Sequence, residues 1–231
     1  MVNHIIQFDG VFVEYHGYKV RSLLRPLQKM TFMALRGIDL RINEGETVAI
    51  MGHNGAGKST LLKVMAGQLR PISGIAKIAG NSLLLAGVNP GFENTFSSRQ
   101  NISWLARAYG SEPESTVRSV EEFADIGEGF DRPVSTLSTG MKGRVGFGFA
   151  TSLDPDILLI DEVLGVGDPS FKSKATNRLK EMIRSTGSVV ISTHSVGLVK
   201  ELASRVVVLE NGAIIHDGDA DVGLSLYAEM K

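Results

Sequence analysis

Gly52-His53-Asn54-Gly55-Ala56-Gly57-Lys58-Ser59 follows the apolar run Thr47-Val48-Ala49-Ile50-Met51 and opens a helical pattern. The eight residues fit G-x-x-x-x-G-K-[ST], and a strand before with a helix after is the context that gives this spacing its meaning. Glycines let the backbone wrap tightly, so successive N–H groups converge on phosphate oxygens. The helix start adds partial positive charge. In this reading Gly52, Asn54, Gly55, Ala56 and Gly57 form a phosphate cradle with Thr60 beside it. Lys58 reaches the outer phosphates, and the Ser59 hydroxyl ligates Mg2+.

Two further apolar runs, Ile157–Ile160 and Ser188–Ser192, also end at polar residues followed by helical patterns. Alternation of buried strands with helices predicts an α/β domain built on a largely parallel sheet, with its site where the strands end. The run at 157 ends in Asp161-Glu162. A carboxylate there holds Mg2+ beside a phosphate loop, the Asp161 role, and Glu162 is placed to polarise an attacking water. Residues 5–14 and 36–43 alternate as half-buried strands of an antiparallel layer. Residues 92–152 read as helical, with candidates at 99–109, 114–124 and 140–152. Asn211-Gly212 between Val206–Glu210 and Ala213–Asp217 signals a hairpin, followed by a helix near 220–230.

Composition narrows the classes. Lys and Arg number 24 against 25 Asp and Glu, a formal charge of −1, so there is no basic field to hold nucleic acid. With 43% hydrophobic residues the chain buries a sizeable core. The absence of cysteine excludes disulfides, thiol catalysis and cysteine-bound zinc. No apolar run approaches the ~18–20 residues that span a bilayer, and Met-Val-Asn-His is not a signal-peptide start. Glycine is in excess, 26 of 231 residues with only 7 prolines, which asks where backbone approaches something closely.

Leu137-Ser138-Thr139-Gly140-Met141-Lys142-Gly143-Arg144 opens a helix upstream of Asp161. With this run the sequence resembles the ATP-binding cassette (ABC) ATPases, whose signature has the form LSGGQ; the third and fifth positions depart, while Ser138 and Gly140 are kept. The resemblance implies a P-loop NTPase fold of the ABC type: a RecA-like core, an antiparallel β layer and a helical subdomain (92–152) in a single domain over 1–231. It also implies ATP and Mg2+ as ligands, and a homodimer in which Ser138 and Gly140 meet the ATP of the opposite subunit. Asp168 matches the aspartate linking the two sites, and His194 matches the switch histidine contacting the γ-phosphate. Tyr15 matches the aromatic that stacks on adenine, with Tyr18 as competitor. The loop near 86–93 lacks the family's glutamine, leaving Asn89, Glu93 or water in its place.

Asp161-Glu162-Val163-Leu164-Gly165-Val166-Gly167-Asp168, with the runs Val120–Gly127 and Phe130–Pro133, is similar to exporters of bacterial surface polysaccharides, capsular ones foremost and O-antigen or teichoic acid systems next. That likeness implies a separate transmembrane permease, a lipid-linked polysaccharide as cargo, and a peripheral place on the cytoplasmic face of the inner membrane. Trp104 and Tyr109 then either dock the permease or belong to the core. Residues 19–32 read as an insertion. Arg21, Arg25 and Lys29 recur every four residues, as in a short basic helix at the lipid-linked substrate or in a solvated loop. The rival readings are a soluble cassette ATPase not coupled to transport, a P-loop kinase or GTPase, and a non-hydrolysing ATP-binding regulator.

Overall fold

In chain order the elements are β1 (His4–Lys19), β2 (Gln28–Asn43), β3 (Thr47–Met51), α1 (Lys58–Met65), β4 (Ser73–Ile78), β5 (Ser82–Leu85), α2 (Ser98–Ala108), α3 (Pro113–Ala124), α4 (Thr139–Ala150), β6 (Ile157–Asp161), α5 (Pro169–Ser185), β7 (Ser188–Ser192), α6 (Val196–Leu202), β8 (Arg205–Glu210), β9 (Ala213–Asp219) and α7 (Ala220–Glu229). The computed structural model describes residues 4–19, 28–85, 90–161 and 169–230. They divide into two units, one of Met1–Leu84, Asp156–Glu162 and Gly187–Lys231, the other of Leu85–Pro155 and Val163–Thr186.

The first unit contains the parallel sheet, in the order β5-β6-β7-β3-β8-β9, and an antiparallel sheet in the order β2-β1-β4. β3 pairs in parallel with both β7 and β8, β6 pairs in parallel with β7, and β9 turns back antiparallel on β8. The central strands are unbroken apolar runs because both faces are covered. Successive residues of β3 enter opposite cores. Val48 and Ile50 join Ile6, Phe8, Leu35, Ile38, Leu61 and Leu62. Ala49 and Met51 join Val199, Val206, Val208, Leu224 and Tyr227.

The antiparallel strands are longer than the sequence suggested. Their ladder continues past Tyr15↔Phe32 to Lys19↔Gln28, bending at register shifts along β1. Lys29 and Met30 therefore lie in β2. The four-residue recurrence of Arg21, Arg25 and Lys29 is not a helix reaching Lys29, because pairing with β1 supplies that backbone with its partners. Residues 20–27, with Arg21 and Arg25, lie outside the described residues.

In the second unit α2, α3 and α4 enclose Ile102, Leu105, Val117, Val120, Phe130, Val145 and Phe149. Local chemistry sets their starts. Ser97 and Gln100 form a reciprocal capping box before α2; Glu112 caps α3, with Pro113 at its first position. α4 carries four glycines, which disfavour helix, and one has a packing reason. An ideal Cβ on Gly148 would sit 3.0 Å from a ring carbon of Phe123 and 3.4 Å from Val120. α4 thus approaches α3 as closely as a hydrogen allows. Among the described residues, no helix is long and apolar enough to cross a membrane.

Candidate nucleotide site

β3 delivers the chain into the loop from the middle of the sheet, and α1 leaves it. The turn needs backbone that only glycine adopts readily: φ is 148° at Gly52, 83° at Gly55 and 108° at Gly57. At Gly57 space is as limiting as torsion, since a Cβ would lie 2.7 Å from the Ala34 carbonyl oxygen. The loop is braced from behind. The Gly212 N–H donates to the Ala56 carbonyl at 3.0 Å, and the Arg36 N–H donates to the Gly212 carbonyl at 2.7 Å. The hairpin turn between β8 and β9 and the strand β2 thereby hold its outer side.

The cap residue of α1 is Gly57, which makes no side-chain cap of its own to the first-turn N–H groups, the arrangement in which a helix start receives an anion. Lys58 is 7% exposed, and its ammonium donates to the carbonyls of Gly52, at 2.8 Å, and His53, at 3.0 Å. That places a cation inside the curl of the loop. Asn54, Gly55 and Ser59 are exposed, whereas Ala56 and Thr60 are buried. Tyr15, 39% exposed on β1, is tied to α1 by a hydroxyl–hydroxyl contact of 3.3 Å with Thr60.

Three strand ends lie side by side: Asp161 of β6 is opposite Ser192 of β7, and Ser192 is opposite Ile50 of β3. Asp161 is thus two strands, about 10 Å, from the strand that feeds the loop. The Ser192 hydroxyl between them is buried and has no hydrogen-bond partner among the described residues. The turn after β7 is held by Thr193, whose N–H donates to the Ile50 carbonyl at 3.3 Å and whose hydroxyl accepts the Ser195 N–H at 3.1 Å. His194 sits on this turn, with Nδ1 2.7 Å from the Tyr227 hydroxyl. The loop's own His53 donates through Nε2 to the Met230 carbonyl at 2.6 Å.

Tyr227 and His53 escaped the sequence reading. The terminal helix was expected, but nothing in its pattern reveals a contact 33 residues from His194. Glu162, Asp168 and residues 86–89, with Asn89, lie outside the described residues. The Glu93 carboxylate is engaged locally: the N–H and hydroxyl of Thr95 donate to it and hold its pKa below the usual range.

The second unit carries Ser138 and Gly140. The Ser138 hydroxyl caps α4 by accepting the Met141 N–H at 3.2 Å. Outside its own helix backbone, and among the described residues, a Cβ on Gly140 would meet nothing nearer than that hydroxyl, 3.9 Å away. Internal packing therefore does not require glycine there, in contrast to Gly148. Trp104, 59% exposed, and Tyr109 are surface residues of the same unit, not core.

A family model described as "ABC transporter" matches residues 35–165, more than half of the chain, across the loop and the Asp161 strand. The chain belongs to the ABC transporter family. A teichoic acids export ATP-binding protein, TagH of Shouchella clausii, is 35% identical over 87% of this chain, which spans 57% of that relative's length. The polysialic acid transport ATP-binding protein KpsT of Escherichia coli is 38% identical over 85% of this chain and 89% of its own. O-antigen export system ATP-binding proteins match at 32–38% identity. Among solved structures, a dimeric ATP-binding cassette, MJ0796, bound to ADP and Pi superposes with a TM-score of 0.71 at 21% identity, covering 93% of this chain and 98% of its own. The fold is that of an ABC ATPase domain, as the sequence implied.

The cassette's residues fit a magnesium nucleotide. Among the described residues no cluster of three or more His, Asp or Glu makes a metal cage. Mg2+ needs none, since it is held by one or two protein oxygens together with substrate phosphates. The Ser59 hydroxyl is such an oxygen at the loop, and the Asp161 carboxylate is one at the end of β6, two strands away.

Proposed function

We propose that this chain is the ATP-hydrolysing subunit of a bacterial exporter that moves a lipid-linked surface polysaccharide across the inner membrane, with capsular polysaccharide the favoured polymer. The braced loop with Lys58 in its curl carries the reading. It offers converging backbone N–H groups and one cation, the chemistry that binds a polyphosphate. Tyr15 takes the adenine ring, the residues of Gly52–Thr60 take the phosphates, and His194 contacts the γ-phosphate.

Ser59 and Asp161 would hold Mg2+, which supplies charge neutralisation on the phosphates. Glu162 orients and deprotonates the attacking water. Ser138 and Gly140 cap the phosphate bound by a second copy of the chain, and Asp168 joins the two sites. The open space at Gly140 supports such an approach from outside. Exposed Trp104 and Tyr109, in the region 87–110, supply the surface for the transmembrane permease. The cassette then sits peripherally on the cytoplasmic face of the membrane.

The names of KpsT and TagH support a surface-polymer cargo, and the runs Val120–Gly127 and Phe130–Pro133 favour capsule over O-antigen or teichoic acid. Glu162→Gln tests the hydrolytic reading. Turnover should fall about 10²–10⁴-fold while ATP binding persists and a dimer accumulates on size exclusion. Undiminished turnover removes the role of Glu162. Deleting the gene and staining separately for capsule, O-antigen and teichoic acid identifies the polymer, and loss of a polymer other than capsule overturns the capsular assignment.

A further inference from the structure

α7 reaches both loops of the nucleotide site. Tyr227 meets His194 of the switch turn, while the Met230 carbonyl accepts from His53 of the phosphate loop, and the His53 and Tyr227 rings lie 6.2 Å apart. We propose that Tyr227 is a positioning residue for His194, its hydroxyl holding the imidazole as the tautomer protonated at Nε2. The inference rests on the reading of His194 as the γ-phosphate contact.

Tyr227 is 2% exposed, and its ring packs with Ala49, Met51, Val199, Val206, Val208 and Leu224. A buried phenol must place its O–H proton on an acceptor. Nδ1 of His194 lies 2.7 Å from that hydroxyl, and it can accept the phenol proton in one of the two neutral tautomers. A ring that accepts at Nδ1 carries its proton on Nε2, so one hydrogen bond chooses the tautomer. The choice matters because a phosphate oxygen needs a donor. The Nε2–H form gives one, whereas the opposite tautomer would turn a lone pair toward negative charge.

Because Tyr227 sits in the apolar cluster that receives Ala49 and Met51 of β3, the anchor is packed with the strand that feeds the loop. His53 extends the connection. A carbonyl can only accept, so its Nε2 carries the proton donated to Met230. Loop and switch turn are therefore fastened to one helix, three residues apart along it, and their separation is set before nucleotide arrives.

The test uses the full chain labelled with 15N-histidine. The 15N shifts of His194, assigned by loss of its signals in His194→Gln, report the tautomer without nucleotide or turnover. Wild type should show a protonated Nε2 and an unprotonated Nδ1. Tyr227→Phe, which keeps the ring in its cluster, should move both shifts toward a mixture of tautomers. The same variant should lower kcat about 2- to 10-fold with KM for ATP unchanged. A wild-type spectrum with the proton on Nδ1 overturns the proposal without need of any variant. So does a Tyr227→Phe spectrum identical to wild type. Failure of wild type to bind ATP overturns the functional reading instead, and leaves the tautomer result standing.

Discussion

The hydroxyl of Tyr15 lies 3.3 Å from Oγ1 of Thr60, so the residue proposed to take adenine is fastened to the helix that follows the phosphate loop. Ring and hydroxyl can be separated experimentally. Tyr15→Ala removes the stacking surface and should weaken ATP binding about 10-fold or more, at roughly 1–3 kcal/mol for a base on an aromatic ring. Tyr15→Phe keeps the ring and loses one partly exposed hydrogen bond. Its binding should stay within about 3-fold of wild type. Calorimetric titration of both variants checks the order.

Lys58 is the cation in the curl of the loop. Lys58→Met keeps the buried stem but removes the ammonium that the Gly52 and His53 carbonyls accept from. Turnover should fall about 10²–10³-fold, as when a preorganised donor is lost. ATP-dependent protection against thermal unfolding should disappear as well. Retained protection would show that the phosphates are held without this side chain.

Gly148 supplies a packing test away from the nucleotide. Gly148→Ala gains about 1 kcal/mol of helix propensity against a Cβ placed 3.0 Å from the Phe123 ring. These oppose each other, and the net change should be within about 1 kcal/mol. Gly148→Val gains less helix propensity than alanine does, adds two methyl groups at the same contact, and should destabilise by about 1–3 kcal/mol. Urea unfolding midpoints of the two variants decide whether α4 and α3 are as close as described.

Acid should loosen the second unit through Asp131. Arg99 donates to Asp131 and to Glu121, and the hydrogen bonds from Arg99 hold the Asp131 carboxyl below its usual range. A carboxyl whose folded pKa is depressed contributes its stabilisation above the unfolded value and loses it as pH falls through the folded one. Stability should therefore decline below about pH 4, and Asp131→Asn should make that decline shallower by lowering the neutral-pH midpoint toward the acid one, where the two proteins should converge. Denaturant midpoints between pH 6 and pH 3 measure it.

Much of this molecule was legible in its sequence because its decisive features are local. The loop from Gly52 to Ser59, the hairpin at Asn211-Gly212 and the helix start at Ser138 depend on neighbours in the chain, and each was found where its residues predicted. The strands around Val48, Leu158 and Val190 announced themselves by covering on both faces. What escaped were contacts between distant segments. A four-residue recurrence through Arg21 and Lys29 looks helical until β1 is there to pair with Lys29. Likewise, Tyr227 looks like one more apolar residue of a terminal helix until His194 is folded against its hydroxyl. Gly148 reads as a helix breaker until Phe123 lies across it.

The Gly212 amide that donates to Ala56 has a consequence for how variants of this protein will be judged. That turn belongs to a hairpin at the sheet's edge and carries no group that would touch ATP. Yet it supports the curve on which every phosphate contact depends, so a side chain introduced there would press on Ala34 and Leu35 and through them on Gly57. Its carriers would present as nucleotide-blind rather than misfolded. Distance from the ligand is then a poor guide to which residues make the receptor stiff.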